Sequence, residues 1–311
     1  ASPLSAARKC LSPARCRAKP SNSFVASRGV IMKAELLEVI EAADDRIVAK
    51  CEAFGRCGGC SLQHVSEDYQ REIKSQTLKD NLERIGKVKP ETWLPPMIGP
   101  VWNYRRRTRL AVKDVRAKGR VLVGFRERHA PFITDMHRCE VLTKPVDSLL
   151  DDLSEMIGNL SIRARLPQIE IAAAENATAM VFRVLDPPHD ADKDLLIAFG
   201  ARHDIRIYLQ PGGLDSLQLI QPESFDEPLY YTLPDFDIRI DFEPVDFVQV
   251  NGEINRLMVN FAIEHLRPGP DDRVLDLYCG IGNFSLPLAR KSGAVLGVEG
   301  EQGLVARAAG N

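Results

Sequence analysis

Alternation of apolar and polar positions begins near Val30. The stretch "VIMKAELLEVIEAADDRIVAKC" alternates weakly. It predicts a strand, a turn at Ala43-Asp44-Asp45 and a second short strand. After a Gly-rich loop the period becomes helical. Over residues 66–86, Tyr69, Ile73, Leu78, Leu82 and Ile85 recur near helical spacing, Ser66 stands as N-cap and Gly86 ends the run. That stripe reads as core packing. The Pro-rich residues 89–100 are a connector. "YRRRTRLAVKD" and "GRVLVGFRER" flank Ala117-Lys118-Gly119 and predict a hairpin, which "HAPFITDMHRCEVL" continues. Residues 145–160 read as a helix, 169–186 as a hairpin turning at Glu175-Asn176, and 194–203 as a helix. "DIRIYLQPGG" is a strand running into a turn, and "DFDIRIDFEPVDFVQVN" gives more strand. From Gly252 the texture changes. An amphipathic helix (253–266) leads to the strand "DRVLDLYCG", a turn, a helix and the strand "GAVLGVEG". That order opens a doubly wound sheet.

Composition adds bounds. At 311 residues, 44% hydrophobic and 27% charged, the chain is an ordinary globular one of about two domains. Its net charge of −2 points to no partner. No apolar run of about 18 residues occurs, so no membrane span is expected. Residues 1–29 hold six Lys or Arg and no acid. They read as an unassigned, disordered basic segment, with a transit peptide as the other reading. Cys10 and Cys16, which lie in it, receive no role.

Three places carry chemistry. Cys51, Cys57 and Cys60 sit in "CEAFGRCGGCSLQH", and Cys139 follows in "DMHRCEVL", 79 residues beyond Cys60. Four thiolates suit a closed zinc site or a [4Fe–4S] cluster equally. Zinc more often takes two paired C-x2-C knuckles, so three ligands plus one favours iron–sulfur; spacing leaves both open. The second place is "VLDLYCGIGNFSLPLA", where Gly280 and Gly282 lie between a strand and a helix, and Glu299 stands 17 residues past Gly282. An acid there can accept hydrogen bonds from the ribose hydroxyls of an adenosine cofactor, NAD or S-adenosylmethionine. Ser285 replaces the third glycine of the dinucleotide fingerprint, so the loop looks more like that of a methyltransferase. The third place is residues 102–128, with ten Lys or Arg against Asp114 and Glu127, and Trp102, Tyr104 and Phe125 interleaved. Alternation puts Arg105, Arg107 and Arg109 on one face, a plausible phosphate footprint with aromatics for base stacking; a solvated hairpin face is the plainer reading.

Together, "CEAFGRCGGCSLQH", "NYRRRTRLAV", "HRCEVL", "FVQVN" and "RVLDLYCGIGNFSLPLA…GVEG" resemble, in this order, the RumA/RlmD-type 23S ribosomal RNA (uracil-5-)-methyltransferases. The resemblance runs from about Val30 to Asn311. It implies that Cys51, Cys57, Cys60 and Cys139 hold a [4Fe–4S] cluster. It also implies that Gln249, Tyr278, Asn283 and Glu299 contact S-adenosyl-L-methionine, and that Phe247 and Gln249 lie close to the target uracil. The implied fold is an α+β central domain with the cluster site, followed by the first part of an α/β Rossmann-like methyltransferase domain. The implied boundaries are 30–50 for the remnant of an N-terminal TRAM barrel, 51–245 for the central domain and 246–311 for the methyltransferase part. The implied partner is 23S ribosomal RNA in the cytoplasm, with no membrane, no protein partner and a monomeric chain.

The chemistry of such enzymes is covalent: a cysteine thiolate adds to uracil C6, C5 attacks the cofactor's methyl group, and a base removes the C5 proton. In the family the nucleophilic cysteine and the glutamate base lie downstream of the second strand, beyond Asn311. The expectation is therefore that this chain, truncated at both ends, is inactive by itself and binds cofactor poorly. Cys279 lies in the cofactor loop and reads as packing, and "DPPHD" (186–190) precedes that loop, so it matches the family's downstream D-P-P-R segment only superficially. The alternatives are a non-catalytic RNA-binding module carrying a cluster and, less well matched in motif order, a dinucleotide oxidoreductase.

Overall fold

In a computed structural model of the chain, residues 16–26, 29–221, 225 and 227–311 are described. Contacts divide the chain into two units, Ala1–Lys50 with Leu62–Trp93, and Cys51–Ser61 with Leu94–Asn311. No helix among the described residues is long and apolar enough to cross a membrane.

The first unit holds an antiparallel pair, β1 (Cys16–Ala26) and β2 (Gly29–Val39), and the helix α1 (Glu67–Arg84). Four expectations change here. Cys16–Ala26 of the supposedly disordered segment is a strand, while residues 1–15 and 27–28 lie outside the described ones. Pro20 is tolerated in β1 because a two-stranded sheet consists of edges. The second short strand after Asp45 is reduced to one bridge, Arg46 with Val65. Helix α1 matches the periodic run, but it has no buried residue, and Leu78 and Ile85 are exposed. The stripe is therefore not core within a unit so small. Ser66 precedes the helix without capping it, and its hydroxyl donates to Asp45 instead (3.2 Å).

The second unit is built on a six-stranded sheet. Its strands are β3 (Arg107–Val115), β4 (Arg120–Gly124), β5 (Gln168–Ala173), β6 (Thr178–Arg183), β7 (Ile205–Gln210) and β8 (Gln218–Leu219), in the order β4-β3-β5-β6-β7-β8. Both expected hairpins form. The first turns through Gly119, whose φ of 63° is natural for glycine. The parallel pair β6–β7 needs a crossover, which is the helix α3 (Asp190–His203). That helix starts before the expected 194, because the Asp192 carboxylate accepts from the His189 amide (3.1 Å) and closes a capping box. "DPPHD" is thus its N-terminal lead. The stretch 129–142 does not continue the hairpin as a strand; it makes single bridges only. Helix α2 (Leu150–Gly158) fills the later part of the expected 145–160.

Two cores cover the sheet. Leu110, Val123, Leu153, Ile157, Ile169, Ile171, Met180 and Phe182 form one, together with Cys57 and Cys139. Ala172 and Ala179, cross-strand partners, turn the other way into a second core. That core holds the hairpin β9 (Leu229–Leu233) and β10 (Ile238–Phe242), the helix α4 (Gly252–Leu266), and Ile281 and Leu288. Residues 243–249 turn rather than extend β10. The expected βαβ opening is present: β11 (Arg273–Leu277), α5 (Ser285–Ala289) and β12 (Ala294–Val298), with β11 and β12 parallel, then α6 (Gln302–Gly310). Leu275, Leu277, Leu296 and Val298 are each more than two-fifths exposed, so this two-stranded sheet keeps an uncovered apolar side.

Candidate cofactor loop and cysteine cluster

The loop after β11 turns on positive φ at three alternate positions. Tyr278, Gly280 and Gly282 have φ of 62°, 54° and 94°. A Cβ at Gly282 would meet Leu286 at 3.0 Å as well as a strained backbone, whereas Gly280 faces open space. The Tyr278 ring is 89% exposed. Glu299, at the end of β12, accepts from the amides of Gly280 (3.0 Å), Gly300 (2.7 Å) and Glu301 (3.3 Å). Those amides, Gly280 first, hold its carboxyl below the usual carboxylate range. An ionised acceptor therefore stands beside a glycine-lined opening. Ser285, in the place of the third glycine, donates to Asp276 (2.6 Å). Cys279 packs under Gly297, where a Cβ would lie 2.9 Å from its sulfur, and burial pushes its thiol up. A nucleophilic cysteine needs the opposite shift.

Asn283 turns inward. Its side-chain oxygen accepts from Tyr231 (2.9 Å) and Asn255 (2.9 Å), and its NH2 donates to Asn255 (3.0 Å). Asn255 is 1% exposed. The two amides thus pair reciprocally and tie the loop to α4 and β9. Neither Tyr231 nor Asn255 was singled out by the sequence, since an Asn within an amphipathic helix carries no motif.

The segment 246–251 is fastened by β3. The Arg106 amide donates to Val250 O (2.9 Å) and its Nε to Gln249 O (2.8 Å), with the guanidinium over the Tyr231 ring at 4.6 Å. Burial lowers the Arg106 pKa. Gln249 is half-buried and Phe247 is 74% exposed. Arg106 lies between the predicted basic residues and was missed because alternation gave it to the other face.

The basic strand is less open than its composition suggests. Arg107 and Arg109 share a face, and both hold the buried Glu170, at 2.6 and 2.8 Å. Arg107 also donates to Ile171 O and Asp246 O (both 3.3 Å), and only Arg109 is substantially exposed. Arg105 lies over the half-buried Phe125 ring (5.6 Å), which packs on the core containing the cysteines.

Cys57 and Cys139 are buried, and Cys51 and Cys60 pack half-buried against the same core. Burial raises the thiols of Cys51, Cys57 and Cys139, Cys139 to about 11. They also raise one another: Cys57 and Cys60 act on Cys51, Cys60 on Cys57, and Cys60 and Cys51 on Cys139. All four side chains thus lie in or against one core. The Cys57 loop is docked on the chain just after β4, Gly58 N to Arg126 O and Arg128 N to Arg56 O (both 2.9 Å). The Cys139 turn is docked on the chain just before β3, at the same open end of the hairpin, Asn103 N to Glu140 O (3.0 Å) and Arg105 N to Val141 O (2.8 Å). Among the described residues no three His, Cys, Asp or Glu side chains are placed to hold a single metal ion.

The family model described as tRNA (Uracil-5-)-methyltransferase matches residues 226–311. The protein named 23S rRNA (uracil(1939)-C(5))-methyltransferase RlmD of Cupriavidus necator is 48% identical over 279 residues, covering 90% of this chain and 63% of that protein. Those of the same name in Ralstonia nicotianae and Burkholderia ambifaria are 44% identical (95% of this chain, 63% of that protein) and 47% identical (90% and 60%). The chain thus spans about six-tenths of the length of these curated relatives. In fold it is similar to the crystal structure of Pyrococcus abyssi tRNA (uracil-54, C5)-methyltransferase in complex with S-adenosyl-L-homocysteine. That match has a TM-score of 0.66 and 20% identity, and covers 94% of this chain and 69% of that one. On sequence identity of this extent, the chain is a homologue of the RlmD-type 23S rRNA (uracil-C5)-methyltransferases.

Proposed function

We propose that these residues are the recognition and cofactor side of an enzyme that methylates C5 of a uridine in 23S ribosomal RNA, in the cytoplasm and as a monomer. The observation that carries this is the Glu299 carboxylate beside the positive-φ glycine loop, in a chain 48% identical to a relative of that name. S-adenosylmethionine, when bound, supplies the methyl group. Glu299 then exchanges its amide contact at Gly280 for ribose hydroxyls, and the exposed Tyr278 and the half-buried Gln249 face the same ligand. Asn283 acts with its remaining N–H while Asn255 fixes its orientation. Phe247 offers an exposed ring to a base drawn out of its stack. Arg109 and Arg105 meet phosphates, whereas Arg107 spends its charge on Glu170.

The cysteines fit a [4Fe–4S] cluster. Four thiols in or against one apolar core are its donor set, and a four-iron cube spreads its ligands wider than a single ion does. Cys51, Cys57, Cys60 and Cys139 would hold it, and its contribution is a cross-link rather than a step in methyl transfer. Because the two cysteine segments dock on the two strands at the open end of the basic hairpin, the cluster would fix the presentation of Arg105 and Arg109.

Anaerobically purified chain tests this reading. Iron in a ratio of four per chain, a broad absorbance near the visible edge and retention of 23S ribosomal RNA support it. Zinc in place of iron refutes the cluster, and undiminished RNA affinity in Cys139→Ser refutes its role. No nucleophile is assigned among the 311 residues, so they should transfer no tritium from labelled cofactor; transfer would refute that assignment.

A further inference from the structure

One nitrogen of the Arg106 guanidinium, Nη2, is buried and has no hydrogen-bond partner. Glu175, the carboxylate that acts on this cation, is already committed to Arg256 and Thr232. A cation placed in this way costs stability. Its position is nevertheless set from several sides. Arg106 N and Nε donate to two consecutive carbonyls, Val250 O (2.9 Å) and Gln249 O (2.8 Å). Its own carbonyl accepts from Ala173 N (2.8 Å). Nη1 lies so close to Gly252 that a Cβ there would stand 3.1 Å from it. The planar group covers the Tyr231 ring at 4.6 Å, and Tyr231, 3% exposed, donates to Asn283 (2.9 Å). One side chain thus touches both the backbone of Gln249 and the ring that holds Asn283, two residues on separate loops.

We infer that Arg106 is a positioning residue for the cofactor site, ordering Gln249 through its carbonyl and Asn283 through Tyr231, so that both side chains are in place before the ligand arrives. This rests on the reading of Gln249 and Asn283 as cofactor contacts given above. Order established on folding need not be established again on binding, which is how a costly cation contributes to affinity. A lysine does not replace it. An ammonium is a point charge on a flexible stem and lacks the planar face that covers Tyr231.

The test uses the 311-residue chain as wild type, Arg106→Met, Arg106→Lys and Tyr231→Phe. Methionine keeps an unbranched apolar stem and removes the donors and the charge. Phenylalanine keeps the ring under Arg106 and removes only the hydroxyl that reaches Asn283. Two quantities are read: the side-chain amide resonances of Gln249 and Asn283 in the free chain, and the dissociation constant for S-adenosylhomocysteine from saturation-transfer titration. Both Arg106 variants should shift and broaden the two amides and leave unmoved that of Asn159, which donates to Glu155 O at the end of α2. Both should weaken binding by about tenfold, because two side chains must then be ordered on binding. Tyr231→Phe, which removes a single oxygen and so puts folding at least risk, should move Asn283 and not Gln249. Wild-type affinity in Arg106→Lys overturns the assignment of Arg106 alone. So does movement of Asn159 with the other two amides, which marks a general loosening. An unmoved Asn283 in Tyr231→Phe overturns the arm through Tyr231, whether or not the Arg106 variants fold. Wild type that shows no transfer to S-adenosylhomocysteine overturns the cofactor reading and the assignment with it.

Discussion

Replacing Glu170 by alanine tests how the basic strand is held. Glu170 is 7% exposed and accepts from Arg107, Arg109 and Gln168. Arg107 has a side chain 14% exposed, so without Glu170 its charge stays largely buried and uncompensated. Breaking such a pair costs about 3–5 kcal/mol. Arg107 keeps two carbonyl acceptors, Ile171 O and Asp246 O, which puts the loss near the lower end. Arg109 is 66% exposed, so its share is screened and adds at most about 1 kcal/mol. The expected loss is therefore about 3 kcal/mol. Urea unfolding read by Trp102 fluorescence, in a Trp93→Phe background, reports the unit that contains this pair. Because the dominant pair is buried, the loss should survive high salt. A loss under about 1 kcal/mol, or one that vanishes in salt, would mean that Arg107 is solvated and available to RNA, and the reasoning would fail.

Two further outcomes follow from the loop. Asn255→Ala removes two of the three hydrogen bonds of the Asn283 amide, leaving that from Tyr231, and should cost about 1–3 kcal/mol, with Asn283 less firmly oriented; chemical denaturation together with the Asn283 side-chain amide resonances checks this. The Glu299 carboxyl is held below its ordinary value, so its contribution to loop order is fully present above the unfolded pKa and is lost as pH falls through the lower folded one. The protection of the Gly280 amide, taken as exchange relative to its intrinsic rate at each pH, should fall on acidification across that window, and Glu299→Gln should flatten the dependence.

Much of the second unit was legible because its signals are local. The strands flanking Gly119 and Glu175-Asn176 alternate or run apolar, and the positive-φ glycines of the loop after β11 are read directly from their type. Helix α1 shows the limit of period: its spacing specifies a helix but not what covers the stripe, and nothing in its unit buries it. The glycine turn between β11 and α5 was placed, yet the packing that orients Asn283 was not, because Tyr231 and Asn255 reach it from 52 and 28 residues away. The same holds for Arg107. Its composition suggested a phosphate contact, and a glutamate 63 residues later claims it. Non-local polar pairing leaves no mark in a short window.

The most direct test of the central claim is ligand-observed saturation transfer from the 311-residue chain to S-adenosylhomocysteine, which detects weak binding. Transfer to the adenosine protons, abolished by Glu299→Ala and not displaced by NAD, is the predicted result. Transfer that survives Glu299→Ala, or that NAD displaces, would contradict the reading of this loop as a methyltransferase site.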